Sequence, residues 1–319
     1  MSNPQPAACN LQPIFIAGPT AVGKSTLALA LADKIGGEII SVDSMQVYRG
    51  LNLGTAKPTV ADRARVPHHL IDVAELTEAF DAAKFVALAE QAVTEIQSRG
   101  RVPIFCGGTG LYFKAYLEGL GEAPPSDERL RAELEAAPLA ELLRELELRD
   151  PVTFAKIDRQ NPRRVIRALE VIRLTGKPFS AQRARWGEAP DELSPKGSRG
   201  RSPHQFFCLS RPTADLHARI NLRVDEMFAA GLVEEARQLL PHGLEQNKTA
   251  MQAIGYRQVV EHLRGERSLP ETIELVKIKT RQYAKRPLTW FRKHAQAHWI
   301  ELKPETATAE TLNLLRQPS

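Results

Sequence analysis

Residues 18–25 read Gly18-Pro19-Thr20-Ala21-Val22-Gly23-Lys24-Ser25, with the spacing G-x-x-x-x-G-K-[ST] of a phosphate-binding loop. An apolar run at 14–17 precedes the loop, and a helix-like run at 25–34 follows it. In this order of strand, loop and helix, the loop N–H groups and the helix N-terminus attract an anion. The sequence therefore predicts a bound phosphate or diphosphate, with Lys24 reaching its outer oxygens and the Ser25 hydroxyl serving as a ligand of Mg²⁺.

The composition is that of an ordinary globular protein, with 319 residues, 43% of them hydrophobic and 25% charged. No apolar run approaches the roughly 20 residues of a membrane span, and the first ten residues lack the features of a secretory signal. The cysteines Cys9, Cys106 and Cys208 form no C-x-x-C pair, which argues against a disulfide framework or a zinc site. We expect a cytoplasmic protein without membrane contact, and a monomer, because nothing suggests an obligate dimer.

Positive charge is concentrated in two segments of the chain, although the net charge is only +5. Residues 156–201 contain twelve Lys or Arg and five acids, and residues 264–293 contain nine bases and three acids. Residues 122–150, in contrast, contain nine acids and four bases. A single charged run is usually a solvated helix face. Two basic segments beside an acidic one favour a nucleic-acid-binding surface.

Six apolar runs have the composition of buried strands: 13–17, 38–42, 69–73, 102–106, 205–209 and 298–302. Helical patterns separate most of them, for example at 81–99. This alternation predicts an α/β fold, a P-loop NTPase-like parallel sheet with helices on both faces. Right-handed crossovers would place the phosphate-binding loop, Asp43 and residues 107–110 at one edge of the sheet.

The strand signal disappears between residues 121 and 203. We predict that 121–203 is an inserted all-helical domain, and that 1–120 and 204–319 form the α/β core with a helical C-terminal part. Residues 187–203 contain three Pro and three Gly, a composition that predicts a mobile loop.

Several side chains near the predicted phosphate site have two interpretations. Asp43 could act as a base or metal partner, or could cap the following turn. Residues 107–110, Gly-Gly-Thr-Gly, could form an anion-binding nest to which the Thr109 hydroxyl contributes, or only a tight turn. Arg219 and Arg223, four residues apart, could clamp a diphosphate or lie on a solvated face.

Other candidates carry weaker signals. His68 and His69 have no partner at metal-ligand spacing, so a structural role is favoured. Asp72 ends an apolar run as a metal-binding Asp would, but it could equally be a turn residue. Four aromatic side chains could stack on bases or belong to the core: Tyr112, Phe113, Tyr116 and Trp186.

Together these segments resemble the bacterial tRNA dimethylallyltransferases (tRNA isopentenyltransferases). The matching segments are 18–26, 42–50, 53–58, 67–69, 107–112, 161–164, 167–171 and 254–258. The phosphate-binding loop is generic, whereas D-S-x-Q-V-Y-x-G at 43–50 and G-T-A-K-P at 54–58 are specific to the family. The likeness extends from residue 12 to residue 300.

The resemblance implies transfer of a dimethylallyl group from dimethylallyl diphosphate to N6 of adenosine 37, beside the anticodon of tRNA. It implies catalytic roles for Asp43, as proton acceptor, Thr109 and Lys24. The diphosphate-binding residues would be Gly18, Pro19, Thr20, Ala21, Val22, Gly23, Lys24, Ser25, Thr26 and Arg223, with Mg²⁺ as cofactor at Ser25. Arg223 therefore receives a diphosphate-binding role by resemblance, where its spacing alone left two interpretations.

The resemblance also implies a bound tRNA anticodon stem-loop, whose target base leaves the stack to reach the diphosphate. The expected tRNA contacts are Asp43, Ser44, Met45, Gln46, Thr109, Arg131, Gln160, Asn161, Pro162, Arg163, Arg164, Arg167, Gly255, Tyr256 and Arg257. Gln46 lies where the family recognises the target base. A P-loop small-molecule or nucleotide kinase, in which the basic insertion would act as a lid, is the main alternative. A non-catalytic RNA-binding NTP sensor is a second.

Overall fold

The structure is a computed structural model that describes residues 11–119, 124–183, 205–295, 297–304 and 308–315. Cys9, Trp186 and the loop predicted at 187–203 lie outside the described residues. The described chain divides into two compact units, of which the first comprises 11–117 and 205–315 and the second 118–183. No helix among these residues combines the length and the apolar composition that crossing a membrane requires.

Six parallel strands form one sheet in the first unit. They are β1 (Ile14–Ala17), β2 (Gly37–Val42), β3 (His68–His69), β4 (Val102–Gly107), β5 (Phe206–Ser210) and β6 (His298–Glu301). Their order across the sheet is β3-β2-β4-β1-β5-β6, and every neighbouring pair is parallel. The carboxyl ends of β1, β2 and β4 consequently lie at one edge, where the phosphate-binding loop, Asp43 and Thr109 begin.

Helices supply the rest of the regular structure. They are α1 (Lys24–Ile35), α2 (Val60–Arg65), α3 (Ala82–Ser98), α4 (Gly110–Glu118), α5 (Glu128–Ala136), α6 (Leu139–Arg149), α7 (Pro151–Lys156), α8 (Pro162–Thr175), α9 (Phe179–Arg183), α10 (Thr213–Ala229), α11 (Leu232–Leu239), α12 (Tyr256–Leu263), α13 (Leu269–His294) and α14 (Thr308–Leu314). Two short 3₁₀ turns lie at Leu240–His242 and Ala250–Gln252. Helices α5 to α9 belong to the second unit, and no strand is found in its described part.

The sheet is buried on both faces, because alternate residues of each strand enter two different apolar cores. Phe15 of β1 and Phe105 of β4 pack in the core that includes α3, α4 and α12. Ile16 and Ile104 point the other way, into the core formed with α1, α10 and α13. The predicted α/β fold, a parallel sheet between two layers of helices, is confirmed.

The prediction of a strand over 69–73 is wrong beyond His69. Leu70 and Asp72 have φ angles of 61° and 58°, in the left-handed region that an extended strand excludes. The Asp72 carboxylate accepts from Lys57 Nζ at 2.5 Å and from Arg63 at 2.8 Å. The apolar pattern of 69–73 indicated a strand, but the bonds of Asp72 to residues far along the chain hold this segment in a turn.

The second unit has its own small core, formed by α5, α6 and α8. Leu134, Leu146 and Leu169 are almost completely buried in it. Pro162 at the first helical position favours the start of α8, and Gly176, with a φ of 68°, ends it in the left-handed conformation typical of a C-terminal cap.

Candidate active site

The phosphate-binding loop connects β1 to α1 with three residues at positive φ: Gly18 at 146°, Ala21 at 61° and Gly23 at 109°. A side chain at Gly18 would place its Cβ 2.7 Å from the Leu209 carbonyl oxygen, so only glycine fits there. Gly23 is the N-cap of α1 and offers no side chain to bond the first-turn N–H groups. Those groups are therefore available to an anion.

Lys24 is half-buried at the start of α1, and its ammonium is turned back toward the loop. Nζ donates to the Pro19 carbonyl oxygen at 2.5 Å. Desolvation lowers the pKa of Lys24 to about 8, and Arg223 lowers it further, while Asp43 and the two buried cysteines oppose the shift. A cation that loses hydration without gaining a carboxylate partner at bonding distance is suited to bind a substrate anion.

Arginines of α10 and the residues just before it lie around the loop. Arg211 Nε donates to the Val22 carbonyl oxygen at 2.8 Å, and Arg219 Nε donates to that of Ala21 at 2.9 Å. Burial lowers the pKa of Arg223, and Asp43 and Glu226 oppose that shift. Among the described residues, no side chain forms a hydrogen bond with Arg223. Arg219 thus supports the loop backbone, whereas the described residues leave the guanidinium donors of Arg223 unused.

Asp43 follows β2, and its carboxylate has a capping role. Oδ1 accepts from the backbone N–H groups of Met45 at 2.8 Å and Gln46 at 3.3 Å. The charge of Asp43 also acts on Lys24 and Arg223, so it lies within electrostatic reach of both cations. Within the described chain, no donor bonds Oδ2. The capping interpretation is therefore confirmed, and the second oxygen leaves the carboxylate free to accept a proton.

The Gly-Gly-Thr-Gly turn follows β4 and packs closely against its neighbours. The N–H groups of Gly108 and Thr109 both donate to the Val42 carbonyl oxygen at 3.2 Å. The predicted anion-binding nest is therefore wrong for these two groups, because the turn itself uses them. The Thr109 hydroxyl oxygen accepts from Ser44 N at 3.1 Å, which leaves its hydrogen available to a ligand.

Gln46 is half-buried, and protein groups hold its side-chain amide. Nε2 donates to the carbonyl oxygens of Thr55 at 3.1 Å and Ala56 at 3.3 Å, and Oε1 accepts from the Ser41 hydroxyl at 2.9 Å. A small cavity of about 30 Å³ is lined by both Gln46 and Ser25. Gln46 therefore lies beside the first turn of α1, close to the phosphate-binding loop.

Sequence reasoning missed the part of α13 that reaches the site. Tyr283 is 42% exposed; partial desolvation raises its pKa, the charge of Asp43 raises it further, and Arg286 opposes the shift. Both residues lie in the basic segment 264–293, which indicated a charged surface but not proximity to Asp43. Their separation from Asp43 by about 240 positions leaves no local signal.

The Gly255-Tyr256-Arg257 segment begins α12. Tyr256 is completely buried, and its hydroxyl bonds Glu235 and the backbone of Gly54, so its ring presents no surface to a ligand. Arg257 is the exposed member of the segment and pairs with Glu261 at 3.0 Å. Direct tRNA contact by this segment stays a prediction, and Arg257 is the side chain that can make it.

Six of the seven predicted tRNA contacts of the second unit fall into two groups, and the seventh, Asn161, is the half-buried N-cap of α8. Four of them are exposed at or just before the start of α8: Gln160, Pro162, Arg163 and Arg164. Arg131 and Arg167 instead bond Glu170, which has no exposed surface, at 2.8 and 2.7 Å. The other carboxylate oxygen of Glu170 accepts from Ser126 and the Asp127 N–H group.

The remaining candidates have structural surroundings. His69 bonds the buried Glu38 at 2.7 Å, and His68 bonds the Val66 carbonyl oxygen at 2.7 Å. The other three aromatic candidates are buried in the core: Tyr112, Phe113 and Tyr116. The structural interpretations of the histidines and of these aromatic side chains are thus confirmed.

The loop offers Mg²⁺ few protein ligands of its own. Among the described residues, no group of three or more His, Cys, Asp or Glu side chains could hold a metal ion. Mg²⁺ is commonly bound by one or two protein oxygens together with substrate phosphates and water. Ser25, exposed in the first turn of α1, fits this mode, with Mg²⁺ arriving together with a diphosphate.

The parallel sheet and the loop between β1 and α1 define a P-loop-like α/β protein. A family model described as IPP transferase matches residues 46–294, which is more than half of the chain. The chain therefore belongs to the IPP transferase family, and the resemblance to tRNA dimethylallyltransferases is confirmed.

Individual relatives agree with the family match. The chain is 46% identical over 301 residues to tRNA dimethylallyltransferase 1 of Trichlorobacter lovleyi, covering 92% of this chain and 95% of the relative. It is 47% identical over 292 residues to the tRNA dimethylallyltransferase of Geobacillus kaustophilus, covering 90% and 89%. These relatives are enzymes that modify tRNA, which favours the transferase interpretation over a kinase.

Solved structures give the same assignment. The tRNA isopentenylpyrophosphate transferase from Bacillus halodurans is 39% identical and superposes with a TM-score of 0.67, with 96% of each chain covered. A eukaryotic dimethylallyltransferase solved acting on tRNA is 28% identical, with a TM-score of 0.74, and the match covers 92% of this chain and 74% of that one.

Proposed function

We propose that this protein transfers the dimethylallyl group of dimethylallyl diphosphate to N6 of adenosine 37 in tRNA, giving N6-dimethylallyladenosine and diphosphate. The observation that carries the proposal is the pair of desolvated cations, Lys24 and Arg223, beside the loop and within electrostatic reach of Asp43. Such cations favour a ligand that gains negative charge during the reaction. Diphosphate leaving an allylic carbon is such a ligand.

In the reaction, the bond between the allylic carbon and the diphosphate oxygen breaks, and its electron pair leaves with the diphosphate. A bond forms between that carbon and N6 of adenosine, and one N6 proton passes to Asp43. The N–H groups of the loop and of the first turn of α1, with Lys24 and Arg223, stabilise the charge that develops on the leaving group. When bound, Mg²⁺ supplies further positive charge there, with Ser25 as its protein ligand.

Proton removal is assigned to Asp43, because the adenine amine is a weak nucleophile that needs both orientation and a base. The carboxylate keeps Oδ1 on two backbone N–H groups, which fixes its orientation and leaves Oδ2 as the oxygen that would take the proton. The Thr109 hydroxyl, held by Ser44 N, donates to the diphosphate or to the base.

The RNA partner is the anticodon stem-loop of tRNA, recognised through its shape and its unstacked bases. The exposed arginines at the start of α8 and Arg257 on α12 supply positive charge for its phosphates. We also propose a cytoplasmic location and a monomeric state, in keeping with the charge distribution and composition of the chain.

Mass spectrometry of an unmodified tRNA tests the proposal after incubation with the protein, dimethylallyl diphosphate and Mg²⁺, without ATP. We expect the nucleoside at position 37 alone to gain the mass of one dimethylallyl group. Product that forms only when ATP is present would favour the kinase alternative. The absence of product with any tRNA that carries adenosine 37 would contradict the proposal.

A further inference from the structure

The amide of Gln46 is held in one orientation by the loop formed by residues 51–57. Nε2 donates to the carbonyl oxygens of Thr55 and Ala56, and carbonyl oxygens can only accept. The NH₂ end must therefore face the 51–57 loop, and Oε1 must face the Ser41 hydroxyl. Consequently, the position of the 51–57 loop determines where Gln46 points.

The loop is fixed from within by a buried lysine. Lys57, whose side chain is 2% exposed, donates to the Tyr48 carbonyl oxygen at 2.6 Å and to Asp72 at 2.5 Å. The Thr55 hydroxyl donates to the Leu51 carbonyl oxygen at 2.6 Å. The Thr55 bond holds the shape of the loop, and the Lys57 bonds tie the end of the loop to Tyr48 and Asp72, but these bonds do not fix the position of Leu53 and Gly54 in the middle of the loop.

Two side chains from the helical layer hold that position. Glu235 of α11 accepts the Leu53 N–H group with both carboxylate oxygens, each at 3.0 Å. Tyr256 of α12 accepts from Gly54 N at 3.2 Å and donates to Glu235 at 2.5 Å. A Cβ on Gly54 would lie 2.4 Å from the Tyr256 ring, so the loop and the ring are in close contact.

We propose that Glu235 and Tyr256 are positioning residues, which act through the 51–57 loop on Gln46 and so set recognition of the target base. The inference rests on the proposed function, together with the recognition of the target base that the family resemblance implies for Gln46. It gives Tyr256 a different role from the direct RNA contact that the sequence predicted. The ring is completely buried, and its hydroxyl is occupied by protein groups on both sides.

A double-mutant cycle tests whether Tyr256 acts through Gln46. Tyr256→Phe keeps the ring and removes the hydroxyl. In the otherwise wild-type enzyme, we expect kcat/KM for an anticodon stem-loop with adenosine at the target position to fall about tenfold, because small displacements of an orienting group slow catalysis. The KM for dimethylallyl diphosphate should not change. In the Gln46→Ala background, the same substitution should have almost no further effect.

The affinity for the stem-loop provides a second readout. Wild type should bind a stem-loop with adenosine at the target position more tightly than one with guanosine, and Tyr256→Phe should reduce this preference. A merely structural role would lower stability without changing the preference. Should Tyr256→Phe not fold, Glu235→Gln provides the same cycle, because it weakens the bonds to Leu53 and Tyr256.

Arg257→Ala is the matched control, because Arg257 is the next residue but its side chain is exposed. Under the proposed function Arg257 contacts phosphate directly. The Arg257→Ala substitution should therefore lower kcat/KM by the same factor in the wild-type and Gln46→Ala enzymes, and it should change the salt dependence of RNA binding. Equal losses for Tyr256→Phe in both backgrounds would overturn the inference. A wild-type enzyme without product would instead overturn the proposed function.

Discussion

Lys24 in the first unit and Glu170 in the second both lose hydration on folding, but their surroundings differ. Glu170 is completely buried and accepts four hydrogen bonds, including those of two arginines. Among the described residues, the Lys24 ammonium bonds a single backbone carbonyl oxygen, and the positive charge of Arg223 lowers the pKa of Lys24 further. The Glu170 carboxylate thus has a hydrogen-bond partner for each of its lone pairs, whereas the Lys24 ammonium has no anion at bonding distance in the described part of the chain.

This difference in pairing distinguishes a charge with a structural role, Glu170, from a charge with a functional role, Lys24. Burying an ion destabilises a protein unless partners compensate, so a fully paired ion such as Glu170 is compatible with a purely structural role. A desolvated cation without an anionic partner reduces stability, and such groups accumulate where a ligand supplies the missing charge. On this basis, Glu170 is a structural charge of the second unit, and our proposal assigns Lys24 and Arg223 of the first unit to a diphosphate.

Replacing Asp43 has the largest expected effect on the functional side of the comparison. Asp43→Asn keeps an oxygen that can accept from Met45 and Gln46 but removes the charge and the proton acceptor. We expect kcat to fall by about 10²–10⁴-fold, the usual contribution of a general base. Single-turnover kinetics would measure the change, and the affinity for tRNA should stay close to that of wild type. Nearly normal kcat in Asp43→Asn would contradict the assignment of the base.

Replacing Glu170 tests the structural side. Glu170→Gln leaves Arg131 and Arg167 without their carboxylate, and both arginines are about a third exposed. We therefore expect the free energy of unfolding to fall by about 2 kcal/mol, less than for a fully buried pair. Chemical denaturation at neutral pH would measure it. The kcat should be unchanged at saturating tRNA, and a large loss of kcat would show that Glu170 is not purely structural.

The same variant has a defined pH dependence. Burial alone would raise the pKa of Glu170, but the bonds from Arg167, Arg131 and Ser126 hold it below the usual value of 4.5. The carboxylate therefore contributes its full stability above pH 4.5, and the contribution is lost as pH falls through the lower folded-state pKa. The difference in stability between wild type and Glu170→Gln should accordingly shrink in acid.

Lys24 should produce an effect at the opposite end of the pH scale. Its pKa of about 8 means that the free enzyme loses the cation above that pH. We expect kcat/KM for dimethylallyl diphosphate to be constant below about pH 8 and to decrease about tenfold for each unit above it. Lys24→Arg, if it folds and binds the diphosphate, should remove this decrease. If kcat/KM of the wild type stayed constant up to pH 10, deprotonation of Lys24 would not control binding of the diphosphate, and the prediction would be wrong.

The smallest expected effect concerns the exposed arginines of α8. Arg164→Ala should raise the KM for tRNA only a few-fold. It should also reduce the slope of the logarithm of the binding constant against the logarithm of the salt concentration by about one unit, the contribution of one phosphate contact. Arg129→Ala, an exposed arginine of α5 outside the predicted RNA-binding set, is the control and should change neither quantity. Equal changes in both variants would indicate non-specific attraction instead of a defined contact.

Features that depend on short stretches of sequence could be predicted. The phosphate-binding loop is one, because its two glycines and Lys24 all lie within seven consecutive residues. The central strands are another, because a continuous apolar run suffices to indicate a strand buried on both faces. The end of β3 could not be predicted in the same way, since Asp72 is held by Lys57 and Arg63 in a left-handed turn.

Pairings between distant residues escaped prediction for the same reason. Tyr256 meets Gly54 and Glu235, and Glu170 meets Arg131, through contacts that only the folded chain creates. The sequence indicated the chemical type of these residues but not whether a partner already occupied them. The site residues were therefore predicted by type and motif, and the structure supplies the distinction between paired and unpaired charges.

The stability of Lys24→Met tests that distinction most directly. At pH 7 the ammonium is charged in both the folded and the unfolded state, so the folded protein carries the desolvation cost. Because methionine removes the charge at similar length, chemical denaturation should show an equal or higher free energy of unfolding, by up to about 1 kcal/mol, while dimethylallyl transfer is lost. A decrease of about 2 kcal/mol or more would contradict the account, because it would place Lys24 among the charges that hold the fold together.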